Sequence, residues 1–182
     1  GFYAPSLHNH GSYYHDWTSE DETAWRRFYA PWMRLTREFL SKGGRVTVGS
    51  DPGYIYQTWG FAYIGELEML REAGLTPLEV IRAATLHGAE ELYAPKGVEP
   101  PMGRIAVGKL ADLVIMPANP LDNLKVLYGT GHTRLNRQTN KLETVGGVRW
   151  TIKDGVVYDA PKLLEDVAAM VAAQKAVTSP VP

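Results

Sequence analysis

A single strand-like run with no companion constrains this chain more than any other feature. Residues 45–49 (RVTVG) are short, with β-branched residues at three of five positions, and they lead straight into Ser50-Asp51-Pro52-Gly53. Helix-forming sequence stands on both sides. A buried strand of this type belongs in a parallel sheet covered on both faces, and the α/β part of the sequence offers it no sheet to join. A partner chain, or sequence upstream of Gly1, must supply one.

The flanking pattern supports an α/β reading. Ser19 followed by Glu20, Asp21 and Glu22 predicts a helix start, a capping side chain with acids at the positive end of the dipole. Trp25, Phe28, Trp32, Leu35 and Phe39 then recur at helical spacing, with Arg26, Arg27, Arg34 and Arg37 largely off that stripe. Pro31 inside it predicts a kink or two abutting helices, and Gly43-Gly44 ends the segment. A second helix is expected from Phe61 to Ala73, with Ile64, Leu67 and Leu70 inward and Gly74 as its stop. Thr76-Pro77-Leu78-Glu79 is a capping box with proline at the first helical position. The helix it starts should run to Tyr93, with a break near His87.

The texture changes after Gly103. Residues 112–116 (DLVIM) predict a strand. Residues 145–151 and 156–158 flank Lys153-Asp154-Gly155, a hairpin signal. The polar stretch from Gly129 to Asn140, with Arg134, Arg137 and an unpartnered His132, is expected to be a solvated loop. A last helix starts near Pro161, with Leu163, Leu164, Val167, Met170 and Val171 on one face, and the tail from Thr178 is expected to fray. The resulting division is 1–101, an α/β part; 102–160, a β part; and 161–182, a helix and tail.

Composition removes several function classes. The net charge of -1 gives no electrostatic basis for nucleic acid or an anionic membrane as partner. No apolar run approaches the ~20 residues that span a bilayer. The chain has no cysteine, so disulfides, thiolate metal sites and cysteine nucleophiles are excluded. Gly1-Phe2-Tyr3-Ala4-Pro5 has no signal-peptide pattern, and any targeting signal is expected upstream of Gly1.

The residue that carries chemistry is Asp51. In α/β barrels the C-terminal ends of strands face the active site, and a carboxylate there can contact a metal and move the proton of a bound water. Asp-Pro-Gly is also good turn chemistry in its own right.

Longer segments widen the context. VTVGSDPG (46–53), GELEMLREAGLTPLEVIRAATLHGAEELY (65–93), MGRIAVGKLADLVIMPANPLDN (102–123) and VRWTIKDGVVYDA (148–160) together resemble the amidohydrolase superfamily, its imidazolonepropionase-like and peptidase-like members above all. The resemblance covers residues 45–160 well and the first 44 weakly. It implies an α/β fold: the C-terminal fragment of a metal-dependent hydrolase (β/α)8 TIM barrel, including its eighth strand, plus part of the accompanying small β-sandwich. It implies hydrolysis of an amide, peptide or cyclic-amide C–N bond in a small-molecule or peptide substrate. Asp51 matches the strand-8 aspartate, a metal contact and general base. Gly108, Lys109, Ala111 and Asp112 match a structural signature where the chain returns from barrel to sandwich.

The family also needs a strand-1 His-x-His, a lysine or glutamate bridge and two further histidines, all well before that aspartate. Only 50 residues precede Asp51, whereas a complete barrel takes ~250. A divalent metal, zinc by expectation, would therefore be bound mainly by residues outside this chain, and the chain alone would be inactive. It would associate with a chain or segment carrying the rest of the barrel, or form an oligomer. His8-Asn9-His10 has the i, i+2 spacing of a strand pair, but its flanks are loop-like, so His8, His10 and His15 read as loop histidines. His10 is assigned to the substrate-facing mouth, and Tyr54, Tyr56 and Trp59 either line that mouth as substrate-binding residues or pack the loop against the following helix. His87 reads as structural. Two other classes stand beside the enzyme: a non-catalytic amidohydrolase-like assembly protein, and a free-standing binding module.

Overall fold

The computed structural model describes residues 17–53 and 57–178. The chain divides into two compact units between Glu99 and Pro100.

The first unit is helical around one extended segment. Helix α1 spans Ser19–Ser41. Its cap is Thr18, one residue earlier than expected: Thr18 Oγ1 accepts the Asp21 amide at 3.3 Å and Asp21 Oδ2 accepts the Thr18 amide at 2.8 Å. Pro31 lies inside one continuous helix, so no second helix starts there, and the helix runs on without the one bond a proline removes. Helix α1 ends in a Schellman turn, with Gly44 N–H on Phe39 O and Gly43 N–H on Leu40 O, both 2.9 Å. Gly43 takes the left-handed φ of 84° that this turn needs.

Helix α2 (Phe61–Glu72) ends in the same way at Gly74. Helices α3 (Pro77–Arg82) and α4 (Gly88–Tyr93) are joined without interruption by a π-turn, Ala83–His87. The break expected near His87 is thus a widening of the helix, not a gap. Thr76 and Glu79 form the expected capping box. Ile64, Leu67 and Leu70 of α2 pack with Leu75, Val80, Ala83 and Ala89 to make the core of this unit. Tyr29 ties α1 to α2: its hydroxyl donates to Glu72 Oε2 at 2.6 Å, which pushes the phenol up to about 12.

The aromatic face of α1 remains uncovered among the described residues. Trp25, Phe28, Trp32, Leu35 and Phe39 are each 50–57% exposed. Trp17, Trp25, Phe28 and Trp32 form a row with centroids 5.8–5.9 Å apart.

Residues 45–50 do not form the expected strand. Their exposure alternates, with Val46, Val48 and Ser50 half-buried and Arg45, Thr47 and Gly49 exposed, yet they enter no ladder among the described residues. A strand exists only by pairing, and the described residues offer no neighbour.

The second unit is built from two antiparallel sheets and a helix. Strand β1 (Leu113–Ile115) pairs with β4 (Trp150–Lys153), which pairs with β5 (Val156–Asp159). A separate hairpin joins β2 (His132–Asn136) to β3 (Lys141–Val145). The stretch expected as a solvated loop is therefore half strand. Its register is fixed by Arg134 opposite Glu143, with an ion pair of 2.7 Å, and by Asn136, which bonds Glu143 at 2.9 Å and accepts two turn amides. His132 likewise sits in a strand, near Asn123 Nδ2 at 3.2 Å. The run expected from 145 to 151 breaks because Gly146 and Gly147 both hold positive φ. Helix α5 spans Ala160–Thr178, and the tail beyond it lies outside the described residues. No helix among the described residues is long and apolar enough to cross a membrane.

Asp112 fixes the β4–β5 hairpin. Asp154 and Gly155 form its turn at φ 52° and 81°, as a two-residue Asp-Gly loop requires. Asp112 accepts the Asp154 amide at 2.8 Å and the Lys153 ammonium at 2.8 and 3.0 Å. The Lys153 bond first, then the backbone bond, holds the Asp112 carboxyl below its ordinary value. Stability from such a group is present above the unfolded-state value and lost as pH falls through the folded one. Asp112→Asn should therefore lower the melting temperature of the second unit near neutral pH, and the gap to wild type should shrink towards about pH 3. Melting curves at several pH values check this.

Candidate active site

Helix α1 delivers the chain through Gly43-Gly44 into residues 45–50, and helical side chains hold that segment from the side. The His87 ring lies with Nδ1 3.1 Å from Val46 O; a carbonyl only accepts, so Nδ1 carries the proton. Gly49 N–H donates to Glu66 Oε1 at 3.1 Å. Arg45 pairs with Glu90 at 2.7 Å. Asp51 follows with an exposed side chain and a left-handed φ of 44°. Aspartate tolerates that region better than most residues, yet the conformation costs about 1–2 kcal/mol, so the surroundings must impose it. The exit is pinned as well: Gly53 N–H donates to Gln57 O at 2.9 Å.

Between the end of the segment and the first turns of α2 lies a cavity of about 700 Å³, lined by Gly49, Ser50, Gln57, Thr58, Phe61 and Glu66 among others. It opens at the two residues before Asp51. Glu66 is the charged residue on its wall. Glu66 Oε2 is buried with no hydrogen-bond partner among the described residues. Burial, and then the charge of Glu66, raise the Tyr63 phenol, whose hydroxyl donates to Ala84 O at 3.1 Å.

Of the residues singled out in the sequence, Asp51 stands at this turn. Trp59 is 75% exposed, with its indole against the turn: a Cβ built on Gly53 would meet its Cζ2 at 3.3 Å. His8, His10, His15, Tyr54 and Tyr56 lie outside the described residues. Glu66 was not singled out. The signal that could have found it is an acid set between Ile64 and Leu67, beside the buried face of α2.

A family model described as the amidohydrolase family matches residues 33–158, a span holding Asp51, Glu66, His87 and Asp112. The chain belongs to the amidohydrolase family. Among solved structures, a Xaa-Pro dipeptidase with methionine bound in its active site is similar at 25% identity, over 70% of this chain and 25% of that one, with a TM-score of 0.49. An uncharacterized protein is similar at 25% identity, over 69% and 26% of the two chains, with a TM-score of 0.47. A structure described as an amidohydrolase is similar at 21% identity, over 68% and 36%, with a TM-score of 0.35. The chain thus spans about a quarter of the length of the first two. No curated protein matches it.

Enzymes of this family generally bind a divalent metal. The described residues do not fit one by themselves: no group of three or more histidine, aspartate, glutamate or cysteine side chains comes together among them. Asp51 offers one carboxylate, whereas catalytic zinc takes about three protein ligands. The purified chain, dialysed against a weak chelator, should accordingly retain far less than one equivalent of zinc by elemental analysis. A tightly held equivalent would place ligands at His8 and His10.

Proposed function

We propose that this chain contributes the Asp51 turn to a hydrolase that cleaves an amide, peptide or cyclic-amide C–N bond. The observation that carries the reading is Asp51 itself. It closes an extended apolar segment within the family match, and its strained backbone stands next to a cavity. Strain of this kind gathers at functional sites.

In this reading Asp51 accepts a proton from the water that attacks the carbonyl carbon. It then passes that proton to the nitrogen as the C–N bond breaks, so that a carboxylic acid and an amine leave. Zinc, held mainly by residues outside this chain, is the metal the reading calls for. The aromatic residues after Asp51 suit an apolar substrate side chain.

The remaining barrel strands would come from a partner chain or from further sequence. Two features support this: among the described residues, the backbone of residues 45–50 enters no ladder and the aromatic face of α1 is uncovered. Backbone polar groups call for partners, and large apolar patches drive association. Light scattering over a micromolar concentration series should show the isolated chain self-associating; a compact monomer of 20.2 kDa would oppose the reading.

The catalytic claim has its own test. In the active assembly, Asp51→Asn should lower turnover of amide substrates by about 10²–10⁴-fold, because an amide cannot take the proton. Its melting temperature should stay that of wild type, since Asn fits the left-handed turn. Near-normal turnover would mean that Asp51 serves only the turn.

A further inference from the structure

We propose that Trp59 is an apolar wall of the substrate site and selects amides with a large apolar side chain beside the scissile bond, an assignment that rests on the hydrolase reading of Asp51. In an α/β barrel the chain that follows a strand forms the rim of the active site. Trp59 comes eight residues after Asp51, and its indole is brought back to the Asp51 turn. Gly53 N–H donates to Gln57 O at 2.9 Å, so the chain has returned to the turn just before Trp59. A Cβ built on Gly53 would meet the indole Cζ2 at 3.3 Å and its Cε2 and Nε1 at 3.5 Å. A side chain at 53 would press on the ring, and Gly53 also holds a φ of 103° that side-chain-bearing residues avoid.

Three observations separate Trp59 from a side chain that only packs its loop. Its backbone is fixed from both sides: Thr58 O accepts the Phe61 amide at 3.3 Å and the Ala62 amide at 3.0 Å, and Gly60 begins α2 at φ 79°. The ring is braced on Gly53, in the turn that carries Asp51. Yet it is 75% exposed, the most of the chain's five tryptophans. A tryptophan used for packing hides most of its surface. This one is held in place with a broad apolar face open, two residues from the candidate base. A ring already fixed gives a ligand contact area at little cost in conformational entropy. These contacts all lie outside residues 45–50, so strands pairing with that segment in the active assembly leave them as they are.

The test compares Trp59→Ala and Trp59→Phe with wild type in the active assembly. The substrates are dipeptides that carry glycine, leucine or phenylalanine on one side of the scissile bond and then on the other. The readout is the ratio of kcat/KM between substrates, which does not depend on how much of a variant folds. Trp59→Ala should lower kcat/KM for the leucine and phenylalanine dipeptides by about 10–10²-fold relative to the glycine dipeptide. Trp59→Phe, which keeps an aromatic face, should recover most of the preference. An unchanged ratio in Trp59→Ala would overturn the proposal. So would a loss of the same size on all the dipeptides, because Trp59 would then be packing against the rest of the barrel. If the wild-type assembly hydrolyses none of them, the hydrolase reading fails by itself. Calorimetric binding of the same dipeptides then decides the wall: a preference for leucine and phenylalanine lost in Trp59→Ala supports it, and no difference between wild type and variant overturns it.

Discussion

Backbone amides and carbonyls of an extended segment must find partners, and among the described residues helical side chains meet two of those at residues 45–50. Gly49 N–H goes to Glu66, Val46 C=O to the His87 ring. These two holds follow from the packing of the first unit. Glu66 is placed by α2, whose buried Ile64, Leu67 and Leu70 fix the helix against Val80 and Ala83. His87 is placed by the π-turn between α3 and α4. The core therefore sets the position of the segment, and the segment sets the position of Asp51. Removing packing from α2 would act on the candidate base without touching it.

The second unit uses the same device in a different place. Asp112 accepts a backbone amide and an ammonium across the β4–β5 turn, as Glu66 accepts one near Asp51. Asp112 takes an amide of the turn itself, whereas Glu66 takes one in the extended segment two residues before Asp51. The Asp112 bond, at 2.8 Å, has the short length of a charge-assisted bond, which suits a turn whose residues hold positive φ.

Local signals in the sequence located the elements well where they were chemical. The capping box at Thr76, the Asp-Gly hairpin, the inward face of α2 and the helix starting beside Pro161 all have mechanisms confined to a few residues. The α1 cap fell one residue early because Thr18 and Ser19 are both good caps, and only the Asp21 contact chooses between them. The β2–β3 hairpin was hidden because its register comes from Arg134, Asn136 and Glu143, polar residues that look like loop when read singly. Residues 45–49 read as a strand from their apolar content, but pairing is not a local property. The family was legible from motifs in order. Glu66 was not, because its role depends on which backbone amide it meets across the helix–segment gap.

The central claim is that Asp51 is the proton-accepting carboxylate of an amide hydrolase. A crystal structure of the active assembly with a tetrahedral phosphinate analogue of the attacked amide tests it most directly. The account predicts an Asp51 oxygen within about 2.6–3.2 Å of the phosphinate oxygen that stands for the attacking water. An Asp51 side chain turned to solvent, with another group on that oxygen, would contradict it.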